Sequence, residues 1–230
     1  MAFWRTVTAT TSSPPRGPEG QFATLVPADG DAFMRVQRSD APARVHLDLH
    51  VGDVDAELQR AVALGARLLH RESHAVLVSP GGFTFCLVAD RGERERPAPV
   101  VTPDGSASLV DQLCLDIPGN LHGTEQAFWT ALTGWTHRAT STPGLSVLDR
   151  PEGLPLRLLL QQLGGDDEGT AVRAHLDLAC GAAVDALVAA HTVLGARVVR
   201  VMPGWTTLTD PAGLAYCLTG RDPVTGLAPA

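Results

Sequence analysis

The 230-residue sequence contains no lysine, so all 18 of its basic residues are arginine, and it has one asparagine (Asn120), one isoleucine (Ile117) and one tyrosine (Tyr216). These residues share AT-rich codons, and their scarcity points to a GC-rich gene, not to a demand of the fold. Acidic residues number 25, giving a net charge of −7, which argues against a protein that tracks nucleic-acid phosphates. No apolar run approaches the roughly 20 residues needed to span a bilayer, and Met1-Ala2-Phe3-Trp4-Arg5 is not the start of a signal peptide. The four cysteines (Cys86, Cys114, Cys180, Cys217) show no Cys-x-x-Cys spacing and sit in apolar strand-like runs, as buried thiols do. The expectation is a soluble cytoplasmic protein without disulfides, with neither nucleic acid nor membrane among its partners. Nucleotide-binding glycine loops, His-Glu-x-x-His and Gly-x-Ser-x-Gly are also absent, so nucleotide, zinc-protease and serine-hydrolase readings lack support.

What is present is a repeat. Ala2-Phe3-Trp4 recurs as Ala127-Phe128-Trp129, His46-Leu47-Asp48-Leu49 as His175-Leu176-Asp177-Leu178, and Leu64-Gly65-Ala66-Arg67 as Leu194-Gly195-Ala196-Arg197. Pro80-Gly81-Gly82-Phe83-Thr84-Phe85-Cys86-Leu87 matches Pro211-Ala212-Gly213-Leu214-Ala215-Tyr216-Cys217-Leu218. The blocks keep their order at offsets of 125, 129, 130 and 131, which marks a tandem duplication. Each half carries a β-α-β-β-β grammar. Val45 to Val51 alternates, with His46, Asp48 and His50 on one face; Asp53 is placed to cap a helix that Gly65 ends; three short strands follow. A second such unit opens the second half, with a strand from Leu109, a helix from Glu125 to Thr133, and strands at Leu145–Leu148 and Leu156–Gln161.

The chain divides into halves 1–90 and 107–222, joined by a charged, Pro- and Gly-containing linker, 91–106, expected to bury nothing. Loops 12–20 and 164–169 hold matching places and are expected to be mobile. By the repeat, residue 1 falls inside a helix, so the first module lacks its first strand. The expectation is that the natural frame starts upstream, or that a partner chain, a second copy included, supplies the strand to a homodimer.

Repeated β-α-β-β-β units, His-Leu-Asp-Leu opening a strand, Leu-Gly-Ala-Arg ending a helix and Asp-Pro-x-Gly before the last strand resemble the vicinal oxygen chelate superfamily. The likeness is to its glyoxalase-like branch, alongside glyoxalase I, extradiol dioxygenases and bleomycin-resistance proteins. The resemblance implies an α+β fold of two tandem glyoxalase-like halves whose sheets curl into ligand-holding cups. It also implies metal ligands on the first and last strands of each module. Those places fall on Gln112, His175, Leu159 and Cys217 in the second half, and on Arg35, His46 and Cys86 in the first. None is a carboxylate, and hard cations need oxygen ligands. No cofactor is therefore predicted. A divalent metal, with Gln112, His175 and Cys217 as weak candidates, remains the alternative.

His46 with Asp48, and His175 with Asp177, each place an imidazole beside a carboxylate on one strand face. They read equally as catalytic acid–base pairs or as structural hydrogen-bonded pairs at a module seam. Arg35, Gln112 and Trp205 are the ligand-binding candidates. Trp4 and Trp129 read as core anchors, and His70, His74, His122, His137 and His191 as residues of element ends and helix surfaces. Two functions follow: a metal-independent binder of a small oxygenated metabolite or drug, or a metal-dependent lyase or dioxygenase.

Overall fold

The computed structural model describes residues 1–165 and 169–228, so loop 164–169 lies partly outside the described residues. In the other loop, 12–20, Ser13 Oγ accepts from the Thr24 amide, and Arg16 donates to Thr24 Oγ1.

The first module comprises α1 (Ala2–Val7), β1 (Thr11–Ser12), β2 (Phe22–Val26) and β3 (Met34–Gln37). The second runs β4 (Leu47–Val51), α2 (Val54–Ala63), β5 (Arg67–Arg71), β6 (Ala75–Val78) and β7 (Thr84–Ala89). After a short β8 (Val100–Val101) comes the third: β9 (Ala107–Ile117), α3 (His122–Thr133), β10 (Thr136–Ala139), β11 (Leu145–Asp149) and β12 (Arg157–Gln162). The fourth is β13 (Arg173–Ala179), α4 (Val184–Val193), β14 (Arg197–Met202), β15 (Trp205–Thr209) and β16 (Ala215–Thr219). Asp53 Oδ1 accepts from the amides of Asp55 and Ala56, satisfying donors that the first turn of α2 cannot. Gly65, at φ +106°, takes the left-handed conformation that ends that helix.

In the second half, β9 lies between β12 and β13 and joins the two modules into one curved sheet, ordered β10-β11-β12-β9-β13-β16-β15-β14. The first half has no counterpart of β9, so β1-β2-β3 and β4-β7-β6-β5 stay separate sheets. Across that gap Glu93 pairs with Arg35 of β3 at 3.5 Å and with His50 of β4 at 3.0 Å.

The packing crosses between the halves. Phe128 and Trp129 of α3 sit against Phe83 and Phe85 of the second module, in a core with Leu77, Leu87, Leu113 and Leu115. Phe3 and Trp4 of α1 pack against Tyr216 of the fourth module, in a core with Leu178, Leu208 and Leu218. Each tryptophan also answers to a carboxylate. Trp4 Nε1 donates to Asp210 at 2.8 Å, and Trp129 Nε1 donates to Glu125 at 2.7 Å, whose other oxygen accepts from the Gly81 amide. A Cβ at Gly81 would lie 2.8 Å from Glu125 Cγ, so the tight approach requires glycine there. Trp4→Phe keeps one six-membered ring, removes the pyrrole ring with its N–H and strands one oxygen of the buried Asp210. It should cost about 1–3 kcal/mol in urea denaturation, whereas an unchanged midpoint would show the bond to be idle.

Two expectations need correction. The segment 91–106 does bury material: Pro97 is buried, Val100–Val101 pairs with β9, and Arg96 donates to the Val224 carbonyl at 2.8 Å. Segments 128 residues apart meet there, which local composition does not reveal. His191 is not a surface residue but is buried, bonded to the Tyr216 hydroxyl at 3.0 Å and in ring contact with Phe3. Burial pushes its pKa down to about 4, so it packs as a neutral ring. Among the described residues, no helix is long and apolar enough to cross a membrane.

Candidate functional site

Strand β9 is largely buried on both faces: Leu113 and Leu115 enter the core, while Gln112, Cys114 and the half-buried Asp116 share the opposite face of the sheet. Cross-strand register then decides who meets whom. His175 lies opposite Cys114, and Asp177 lies opposite Gln112 on one side and Cys217 on the other. Arg157 and Leu159 of β12 stand beside Gln112 and Cys114.

The result is one continuous polar chain. Arg157 Nε donates to Gln112 Oε1 at 2.6 Å, and Gln112 Nε2 donates to Asp177 Oδ2. His175 Nε2 is 3.2 Å from Asp177 Oδ1, and its Nδ1 is 2.8 Å from Asp116 Oδ2. Burial opposes charge on His175, but the Cys114 sulfur and then the carboxylates of Asp116 and Asp177 outweigh it and hold the pKa well above the ordinary value. Burial would likewise raise Asp177, yet His175, Arg221 and Gln112 lower it. The pair is therefore an imidazolium held by carboxylates. Beside it, Arg221 grips the fully buried Asp111 through both Nη atoms, one at 2.7 Å.

Gln112, proposed from the sequence as a ligand beside His175, instead bonds Asp177 and Arg157. Around His175, two groups of His, Cys and Asp side chains come together: His175, Asp177 and Cys217, and Cys114, Asp116 and His175. In each, the ligand atoms all lie within 4.8 Å of one another. Sequence reasoning missed Cys114 and Asp116, although period-two counting from Gln112 places both on its face. It also missed Arg157. The Cys217 sulfur is 3.4 Å from Thr207 Oγ1 and its thiol pKa is raised, first by burial. Trp205, half-buried on β15 opposite Thr219, lies two residues from Thr207 and so on the same face, toward the rim.

The first half repeats the trio. His46 Nε2 lies 3.2 Å from Asp48 Oδ1 and 3.1 Å from Cys86 Sγ, but His46 is exposed where His175 is buried. The Cys86 thiol is pushed up to about 12 by burial and then by Asp48. Burial would raise Asp48; His46, Arg35 and His50 lower it instead. Arg35, a sequence candidate for ligand binding, is paired with Glu93.

The second-half trio offers one imidazole nitrogen, one carboxylate and one thiol, a donor set that suits a borderline cation such as zinc and not a hard one. Asp177 Oδ1 is buried without a hydrogen bond of adequate geometry, an orphaned acceptor of the kind a cation would satisfy. The residues therefore fit such an ion, provided that His175 gives up the proton on Nε2.

At the Arg157 end of the chain lies a cavity of about 370 Å³, whose lining includes the arginines Arg96, Arg150 and Arg157 and the acids Asp149 and Glu152, with the tail residues Thr225 and Leu227. That volume is within the usual range for small-molecule sites, roughly 300–1,000 Å³.

The profile of the glyoxalase-like domain matches residues 1–88 and 112–219. No curated protein matches the sequence. Among solved structures, the 2,3-dioxygenase LapB from Pseudomonas sp. KL28 is 14% identical at a TM-score of 0.62, covering 99% of this chain and 90% of that one. An extradiol ring-cleaving dioxygenase from B. fuscum is 15% identical at 0.63, covering 98% and 68%. A mutant 4-hydroxymandelate synthase from Streptomyces coelicolor is 13% identical at 0.59, covering 99% and 89%. At such identities the likeness is one of fold.

Proposed function

The chain belongs to the glyoxalase-like domain family, and on that footing we propose that the cup of its second half binds a small oxygenated molecule without the usual metal quartet of that fold. One observation carries this reading. Both ring nitrogens of His175 lie against carboxylates, so a proton and two acids complete the floor of the cup where a metal's charge would be needed. Asp116, half-buried on that floor, offers a hydroxyl ligand an acceptor, with the His175 ring behind it. His175 and Asp177 hold the proton that such a ligand would share. Leu159 and Cys217 stand at the last-strand places and bring no carboxylate. His46 and Asp48 form the weaker, more exposed counterpart.

A second reading, metal-dependent lyase or dioxygenase chemistry, is favoured by the orphaned Asp177 Oδ1 beside His175 and Cys217. These three would hold the ion, which would supply Lewis-acid polarisation of a bound oxygen. The names of the solved neighbours, dioxygenases among them, point the same way.

Elemental analysis of protein purified without added metal separates the two. The expected result is less than a tenth of an equivalent of any transition metal, together with a melting-temperature rise on adding catechol-like or oxo-acid metabolites. One equivalent of metal per chain, lost in both His175→Ala and Cys217→Ser, would replace the first reading by the second.

A further inference from the structure

We propose that the cavity at the Arg157 end of the second-half cup is an anion site, taking the carboxylate or phosphate of the ligand between Arg96, Arg150 and Arg157. The proposal rests on the cup-binding reading and adds the charge of what is bound.

Charge and unused donors point to an anion. Four arginines gather here: Arg96 from the segment between the halves, Arg150 from the turn after β11, Arg157 from β12 and Arg221 from beyond β16. Arg221 is matched by Asp111, and Asp149 is matched by Arg138, which grips it at 2.9 and 3.0 Å. Asp177 faces His175. Among the described residues, that leaves Arg96, Arg150 and Arg157 without a carboxylate at ion-pair distance, although the charges of Asp111 and Asp149 still act on Arg150 and Arg157, and the remaining acid on the rim, Glu152, is exposed.

The donors are as unevenly used as the charges. Arg96 spends its Nη atoms on the carbonyls of Val224 and Pro223, and its Nε is buried with no partner. Arg157 spends Nε on Gln112, and its two Nη atoms have no partner among the described residues. Arg150 makes neither a hydrogen bond nor an ion pair among them. Burial, then the charge of Arg221, brings Arg157 down to about 10, and burial followed by the charge of Arg96 lowers Arg150. Cations that are half-buried, as Arg96 and Arg150 are, or buried, as Arg157 is, and that keep free N–H groups are poorly placed for stability alone. They are well placed to receive an anion, because guanidinium forks match the oxygens of a carboxylate or phosphate.

Arg157 also ties the cavity to the floor of the second half, because its Nε donates to Gln112, which in turn donates to Asp177 beside His175.

Isothermal titration of the full chain at fixed ionic strength, with inorganic phosphate and with benzoate as probes, tests the site. At least one anion should bind saturably with one-to-one stoichiometry. Phosphate the tighter would mark a phosphoryl ligand, and benzoate the tighter a carboxylate. Arg150→Gln should weaken binding tenfold or more while leaving the melting temperature in chloride unchanged, and Arg150→Lys should recover part of the loss. No saturable binding of either anion, or equal binding by Arg150→Gln, overturns the proposal. Neutral catechol tells this failure from that of the cup reading. If catechol stabilises wild type and Arg150→Gln alike while both anions are inert, the cup stands and the anion site falls. If the anions bind through Arg150 while no oxygenated metabolite stabilises the protein, the anion site stands and the cup reading falls.

Discussion

Replacing His175 by alanine should lower the melting temperature by on the order of 10 °C near pH 6. Removing one partner of a buried charge pair typically costs about 3–5 kcal/mol, and each kcal/mol shifts a chain of this size by roughly 2–4 °C. The variant leaves the buried Asp177 without its imidazolium, and Gln112 alone cannot compensate. The sign of the pH dependence follows from the two shifts. His175 is raised in the fold, so its contribution is complete below its unfolded pKa, about 6.5, and is lost as pH climbs through the higher folded value. Asp177 is lowered, so its contribution is present above about 3.9 and disappears as pH falls through the folded value. The gap between wild type and His175→Ala should thus be widest between those limits and narrow in alkali. A gap that is small at pH 6, or that widens above pH 9, would contradict the imidazolium assignment.

The second large effect belongs to Arg221. Asp111 is fully buried and held by both Nη atoms of Arg221, so Arg221→Met should cost about 3–5 kcal/mol in urea denaturation. Most of that cost reflects the stranded carboxylate, not a loss of favourable energy from the pair. The double variant Asp111→Leu with Arg221→Met should therefore recover most of the loss, since replacing both members of a buried pair by apolar groups is often neutral. If the double variant is as unstable as the single one, the pair is doing something other than neutralising itself.

Local pattern made much of the fold legible. Asp53 and Gly65 begin and end α2 as read, and Trp4 and Trp129 are core anchors. The missing strand was visible as a break in the repeat. Strand β10 (Thr136–Ala139) was not visible, because all four of its residues are exposed and no apolar alternation marks it. The site was legible only in outline. His175 and Asp177 stood out through their repeat, but what surrounds them depends on register, and a shift of two residues separates Gln112 from Cys114. Arg157 and Arg96 reach the site from strands and segments far away in the chain, through contacts that no local period encodes.

The crossed packing of the two tryptophan helices separates ancestry from cooperativity. The sequence repeats as first half and second half, but the hydrophobic cores join the second module to the third and the first to the fourth. The unit that was copied is therefore not the unit that packs. Neither half encloses its own interior, and the interactions that bring order to one are contributed by the other. Each copy is thus the other's inner wall, so that a change at Phe128 meets Phe85 and a change at Phe3 meets Tyr216.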